Sequence, residues 1–357
     1  MPGSEQSTDL LLESFVPRSA LVAEDHTPAK ARYPAVDVHN HLGLRHAAPG
    51  GAAAWSIPDV AGLVRTMDEV GVRVVVNLSG GWGDTLKRNL ERYKTDHASR
   101  FAVFAGIDWS RLDEPGFGEK MAAQLAESVR AGAQGLKIFK ALGLTVRFAS
   151  GTLLRADDVM LQPIWAQAAE LGIPVLFHIA DPKAFFTPLD RFNERFEELQ
   201  EHPSWHFYGP EFPSLDELME QQSGLLASNP RTKFISAHVA SASEDLKLVS
   251  GLLDRHPNLH VDISARISEL GRQPYSSRAF FVKYQDRVVF GTDQGPRPEM
   301  YRIHWRFLET ADEHFDYEAS EVPGQGRWRI YGVHLPDEVL DKVYRRNAER
   351  LVPGLGG

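Results

Sequence analysis

The sequence predicts an α/β chain folded as a (β/α)8 barrel, with an N-terminal arm and a long loop after the fifth strand. Three observations predict it. Eight short β-branched or apolar runs alternate with longer helix-like stretches, the signature of a parallel sheet with crossover helices. From the first run to the C-terminal helical stretch the chain spans about 300 residues, which suits a closed eightfold barrel carrying insertions. The first run leads into VDVHNHLGLRH, not into the glycine fingerprint that an open doubly wound sheet uses to hold phosphate.

Residues 1–34 read as the arm, polar and with Pro17, Pro28 and Pro34 but little periodicity; 35–357 then forms the barrel. The strands follow at 35–39 (AVDVH), 72–78 (VRVVVNL), 101–107 (FAVFAGI) and 135–139 (GLKIF). They continue at 173–178 (IPVLFH), 233–238 (KFISAH), 259–263 (LHVDI) and 287–291 (RVVFG). Helical stretches between them include 58–70, 116–131, 157–170, 214–228 and 243–255. Two connections are long, 179–213 and 312–335. Long loops after barrel strands gather at the catalytic mouth, so 179–213 reads equally as a lid or as a surface insertion. Its aromatic residues, among them Phe185, Trp205 and Phe207, are expected to pack the loop down rather than line a pocket. The run Asp312-Glu313-His314 reads as a solvated helix end.

Composition removes several function classes. The net charge of −9 argues against a nucleic-acid binder, which would show a basic face. No apolar stretch is long enough to span a membrane. With no cysteine, thiol catalysis and thiolate metal sites are excluded. The N-terminus lacks a basic segment followed by an apolar core, so a cytoplasmic location is expected.

The strand ends carry the chemistry. Alternation along the first strand places Asp37, His39 and His41 on one face. In a barrel that face points inward, with the two histidines nearest the mouth, where imidazoles at i and i+2 can converge on one ion. Asp37, one pleat deeper, is expected to support rather than ligate. Strand five ends at His178, strand six at His238, and strand eight runs into Gly291-Thr292-Asp293. Four histidines and an aspartate on four strand ends would surround one point above the core. Lys137, at the mouth end of strand four and in phase with Phe139, reads as a pocket cation for an acidic substrate or as a salt-bridged barrel lysine. Lys140 is out of phase. Arg266, after strand seven, could grip a carboxylate in two-pronged fashion or join a surface ion-pair network. Gly80-Gly81-Trp82-Gly83 permits close approach of a ligand to the backbone or forms a turn. His46 follows the His-Asn-His motif closely but lacks a pattern of its own.

On VDVHNH (36–41), GLKIF (135–139), PVLFH (174–178), FISAH (234–238), VVFGTD (288–293) and RRNAERL (345–351), the chain resembles the amidohydrolase superfamily. The likeness is to its branch of metal-dependent hydrolases and decarboxylases, and covers roughly 35–352. The resemblance implies one divalent ion, zinc or else manganese, held by His39, His41, His178 and Asp293. It places His238 beside the ion, touching substrate or water. It implies a hydrolase that uses a metal-activated water on a lactone, ester or amide of a small carboxylated substrate. Asp293 would shuttle the proton and His238 would polarise the scissile carbonyl. The alternative on the same ligands is a non-oxidative decarboxylase, a carbon–carbon lyase. A barrel that binds metabolites without turnover is a third reading, and the intact ligand set counts against it. Barrels of this family often dimerise, so a homodimer is the partner the resemblance admits.

Overall fold

The structure, a computed structural model, describes residues 11, 14–45 and 54–356; His46 and most of the arm's first residues lie outside them. Eight strands form one parallel sheet with neighbours in chain order. They are β1 Ala35–Asn40, β2 Val72–Asn77, β3 Phe101–Ala105, β4 Gly135–Ile138, β5 Val175–Phe177, β6 Phe234–Ser236, β7 Leu259–Asp262 and β8 Val288–Val289. A helix follows each: α1 Val60–Val70, α2 Gly83–Lys94, α3 Phe117–Ala131, α4 Gln162–Glu170, α5 Leu215–Ser228, α6 Leu246–Arg255, α7 Pro274–Lys283 and α8 Pro298–Glu309. The (β/α)8 expectation holds, and each strand lies within its sequence-derived range or one residue past it. Among the described residues no helix is long and apolar enough to cross a membrane.

Local chemistry sets the helix ends. Ser214 and Glu217 form a reciprocal capping box at the start of α5, satisfying donors that the helix leaves unpaired. Gly71 ends α1 at φ 86°, a conformation that costs glycine nothing.

Two backbone hydrogen bonds join the sheet's ends. Val38 N–H donates to the Phe290 carbonyl (3.0 Å), and Asp293 N–H donates to the His39 carbonyl (2.8 Å). Gly291 sits at this seam, where a Cβ would lie 2.9 Å from the His39 Cβ, so a bare α-carbon lets β1 approach. β8 is short because its continuation turns to other partners: Phe290 N–H donates to the Val343 carbonyl. The amide of Asn347, in the RRNAERL segment, donates to the carbonyls of Val288 (2.8 Å) and Gln285 (2.7 Å). That satisfies backbone acceptors buried at the base of the barrel.

The interior is one apolar cluster. Val36, Val38, Val74, Val76, Phe104, Leu176, Ile235 and Val289 meet there, and Ala348, Leu351 and Val352 seal one end. Burial of each valine or leucine contributes about 1.5–3 kcal/mol. Outward-facing strand residues such as Val175 and Phe177 join a second cluster with Trp165, Leu225 and other helix residues.

This arrangement corrects the reading of β1. Because Val36 and Val38 fill the interior, Asp37 points outward, where Tyr301 of α8 donates to its carboxylate (2.9 Å). Thr292 donates to it through both N–H (3.0 Å) and Oγ1 (2.7 Å). Burial pushes the Asp37 carboxyl up to about 6, against these hydrogen bonds. It supports the seam with β8, as expected, but from the opposite face.

The described part of the arm lies along α8. Arg32 N–H donates to the buried Glu309, and His26 meets Asp312 through N–H (2.8 Å) and Nδ1 (2.6 Å). Asp312 is buried, correcting its reading as part of a solvated helix end. Glu24, Asp25 and Arg306 are the other charges in this cluster. The hydrogen bond to Asp312, aided by its charge, raises the His26 pKa. The contact is therefore complete below the ordinary histidine value, about 6.5, and weakens as pH rises through the raised one. Limited proteolysis of residues 15–25 should be faster at mildly alkaline than at mildly acidic pH, after correction for the protease's own profile. In His26→Gln that difference should vanish; an unchanged difference would refute the contact's role.

Candidate metal centre

β1 delivers its histidines through an irregularity. Asp37 pairs with Val75 but Asn40 with Asn77, so β1 spends three residues where β2 spends two. The extra residue breaks the alternation, and His39 leaves the face of Asp37 to turn into the mouth, fully buried.

β6 delivers His238 through strain. His238, Val239, Ala240 and Ser241 have φ values of 59°, 56°, 55° and 58°, a left-handed turn built without glycine. Such a conformation costs about 1–2 kcal/mol per residue. The Asp262 carboxylate, accepting from His238 N–H (2.9 Å), holds the turn's first residue. Ser241 Oγ is buried with no hydrogen-bond partner among the described residues. Ser241→Gly relieves both costs, so it should raise the unfolding free energy by about 1 kcal/mol, net of glycine's entropy. Denaturant titration checks this, and a loss of stability would overturn it.

Each of the four histidines commits one ring nitrogen to the scaffold. His39 Nδ1 meets Asp262 Oδ2 (2.8 Å) and Ser264 Oγ (2.9 Å). His41 Nδ1 meets Ser79 Oγ (2.9 Å). His238 Nδ1 donates to the Ser264 carbonyl (2.8 Å), and His178 Nε2 donates to the Ala180 carbonyl (2.9 Å). A neutral imidazole that donates from one nitrogen keeps a lone pair on the other, so His39 and His238 keep theirs on Nε2 and His178 on Nδ1.

The Nε2 atoms of His39, His41 and His238 stand 3.7, 3.3 and 3.7 Å from the Asp293 carboxylate. One donor atom each from His39, His41 and Asp293 lies within 4.8 Å of the others, and His39, His238 and Asp262 form a second such group. His178 reaches the same neighbourhood, its ring centroid 4.3 Å from that of His238, but it belongs to neither group.

Burial sets the electrostatics. It drives the pKa values of His39 and His238 well below the ordinary histidine value and that of His41 to about 3. Neutral imidazoles beside a carboxylate, with no thiolate, fit a divalent ion such as zinc or manganese. Burial also pushes the Asp293 carboxyl up and the Lys137 ammonium down, each partly offsetting the other.

Two cations stand near these groups. Lys137 is buried, its Nζ has no hydrogen-bond partner among the described residues, and it lies 5.3 Å from the ring centroid of Phe139. Phe139, 43% exposed on the rim, packs on His41 with ring centroids 5.5 Å apart. Arg266 is buried; Nη1 donates to the Ala265 carbonyl and Nε has no partner among the described residues. It is no surface ion-pair residue.

The long loop is packed down. Phe185 and Phe207 are buried in the helix-side cluster. The buried Arg195 pairs with Glu198 Oε2 (2.7 Å) and with Glu269 from the loop after β7.

Asp262, Ser264, Ser79, Asp181 and Lys140 are residues of the site to which sequence reasoning assigns no role. Asp262 had a signal, a polar residue at the mouth end of β7 in a sequence already suspect for Arg266. Strand alternation puts Lys140 out of phase, but β4 ends at Ile138 and the chain turns at once into Ala141–Leu144. Its Nζ reaches Asp181 Oδ2 at 2.7 Å, and Asp181 Oδ1 lies 3.3 Å from His178 Nε2.

Three solved structures illustrate what this barrel resembles. The 2,6-dihydroxybenzoate decarboxylase of Rhizobium is 16% identical, with 90% of this chain and 98% of that chain covered and a TM-score of 0.55. A dihydroxybenzoic acid decarboxylase from Polaromonas sp. JS666, solved with manganese and 2-nitroresorcinol, is 15% identical, with 83% and 86% covered and a TM-score of 0.52. The 5-carboxyvanillate decarboxylase of Sphingomonas paucimobilis is 15% identical, with 82% and 83% covered and a TM-score of 0.50. At these identities the likeness is one of fold. No curated protein sequence matches. The family model described as amidohydrolase matches residues 36–354. That match runs from β1, which carries His39, past the helix that seals the barrel, and on it the chain belongs to the amidohydrolase family.

Proposed function

We propose that this protein is a metal-dependent hydrolase acting on a lactone, ester or amide bond of a small carboxylated substrate. One observation carries the reading: the Nε2 atoms of His39, His41 and His238 converge on the Asp293 carboxylate while their other nitrogens are fixed by the scaffold. His39, His41, His178 and Asp293 would hold one divalent ion, zinc in the first instance and manganese in the second. When bound, the ion supplies Lewis acidity toward water and toward the substrate's oxygen.

The chain's own residues do the rest. Asp293 takes a proton from the attacking water as the new carbon–oxygen bond forms. It returns that proton to the oxygen or nitrogen that leaves when the scissile bond breaks. His238, its Nδ1–H held by the Ser264 carbonyl, presents Nε2 to orient the reacting groups. Lys137 and Arg266, buried cations with donors to spare, would hold the substrate's carboxylate.

A second reading, decarboxylation on the same groups, is supported by three of the structural relatives being decarboxylases. Asp293 would then deliver a proton to the carbon that loses carbon dioxide.

The test is a panel of lactones, esters, amides and aromatic carboxylic acids in 18O-labelled water, with zinc- or manganese-loaded protein. Hydrolysis puts one labelled oxygen into the organic product. Carbon dioxide release with an unlabelled organic product selects the second reading. Under either, Asp293→Asn should lose about 10²–10⁴-fold in kcat, and parental turnover in that variant would refute both.

A further inference from the structure

Lys140 belongs to no part of that chemistry, yet it sits where two structural tasks meet. Its Nζ donates to Asp181 Oδ2 at 2.7 Å. The same ammonium lies 5.1 Å from the ring centroid of Trp205 and 5.3 Å from that of Phe207. All three partners belong to the 179–213 loop, whereas Lys140 follows β4, a neighbouring strand. Trp205 stacks on Phe185 and on His202, and Phe207 packs on Phe186 and Phe212. The ammonium thus rests against two members of the loop's own aromatic core. An ammonium beside two rings and a buried carboxylate is a strong local anchor.

The other oxygen of Asp181 meets the scaffold-held edge of the His178 ring. Asp181 Oδ1 lies 3.3 Å from His178 Nε2, the nitrogen that also donates to the Ala180 carbonyl. Both groups that hold this imidazole edge are therefore loop residues. The ring's orientation depends on where the loop begins, and the loop's beginning is held by Lys140.

We infer that Lys140 is a positioning residue that couples seating of the 179–213 loop to the orientation of the His178 imidazole, and through it to metal affinity. The inference rests on the reading of His178 as a metal ligand. Asp181 fixes the ring, Lys140 fixes Asp181, and the two aromatic rings place Lys140 only when the loop is down. A loop that lifts would release Asp181 and leave the His178 ring free to turn. Metal retention and loop closure are then one equilibrium seen from two ends.

The experiment uses the full chain and zinc alone as the probe. Zinc affinity of stripped protein is measured by competition with a chromophoric chelator. Limited proteolysis within 179–213 is followed on the same samples, with and without zinc. Lys140→Met keeps the aliphatic stem but removes the charge. It should bind zinc about 10- to 100-fold more weakly, the usual cost of losing a partner outside the ligands themselves. Its loop should also be cut faster. Zinc should slow cleavage in the parent and do so less in the variant. Lys140→Arg keeps the cation and should return zinc affinity to within about threefold of the parent. Asp181→Asn should resemble Lys140→Met, and the double variant should be little worse than either, because one chain of contacts is being broken twice.

The failures are separable. If the parent binds no zinc, the metal-site reading falls. If the parent binds zinc and folded Lys140→Met binds it equally, with the loop cut at the parental rate, the positioning role of Lys140 falls alone. Equal zinc affinity with faster cleavage, or additive losses in the double variant, would also overturn the coupling. Circular dichroism and the thermal midpoint, measured on each variant, identify any that fail to fold; for those, Lys140→Gln supplies the same comparison.

Discussion

Asp262→Asn should leave the protein folded and cost it most of its metal affinity, whereas Asp262→Ala should cost it stability as well. The carboxylate accepts four hydrogen bonds: from His39 Nδ1 (2.8 Å), His238 N–H (2.9 Å), Ser264 N–H (3.0 Å) and Ser264 Oγ (2.6 Å). Asparagine keeps an oxygen for the two backbone donors but presents an NH2 group to His39. The imidazole then favours the tautomer with its proton on Nε2, and the lone pair aimed at Asp293 is lost. A drop in zinc affinity of about 10- to 100-fold follows, with a small change in the denaturation midpoint. Alanine leaves two buried backbone N–H groups unpaired, one of them on a left-handed residue. The unfolding free energy should then fall by about 3 kcal/mol. Zinc titration and urea denaturation of the two variants separate the effects. Asp262→Asn with the parent's zinc affinity would show that the carboxylate does not set the tautomer of His39.

Arg195→Ala should be the most destabilising change in the loop, at about 3–5 kcal/mol. The guanidinium is 1% exposed and bridges Glu198, within the loop, to Glu269, beyond β7. Removing it takes the shared ion-pair partner from two buried carboxylates, and Arg266 is the cation left to act on Glu198. Burial already raises the Glu198 pKa despite Arg195, so in the variant this group should take up a proton at a higher pH than in the parent. The loss of stability should shrink as pH falls and the carboxylates are neutralised, and urea denaturation at neutral and mildly acidic pH measures both effects. A variant within about 1 kcal/mol of the parent at neutral pH would show that Arg195 offsets no buried charge.

Arg195 also shows where sequence reasoning stops. In the sequence it is one arginine among several charges on a long loop. Its partner Glu269 is 74 residues away, and no local pattern announces the pair. Asp262 is similar: its four donors come from β1, the end of β6 and its own loop, and only barrel closure brings them together. The phase rule failed at Asp37 and Lys140 for one reason. Alternation is a property of regular strand, and β1 is irregular after Asp37 while β4 stops at Ile138.

The alternating pattern was sufficient to determine the barrel, because strand and helix periodicities are local and each unit packs against its neighbours in chain order. It also determined which strand ends carry histidine and aspartate, because the mouth of a barrel is always at the C-terminal ends of its strands. Tertiary structure alone decided which nitrogen the imidazoles of His39, His178 and His238 keep free and which groups hold the other. Those outcomes depend on hydrogen bonds a few ångströms long between residues far apart in the chain, and such distances exist only once the barrel has closed.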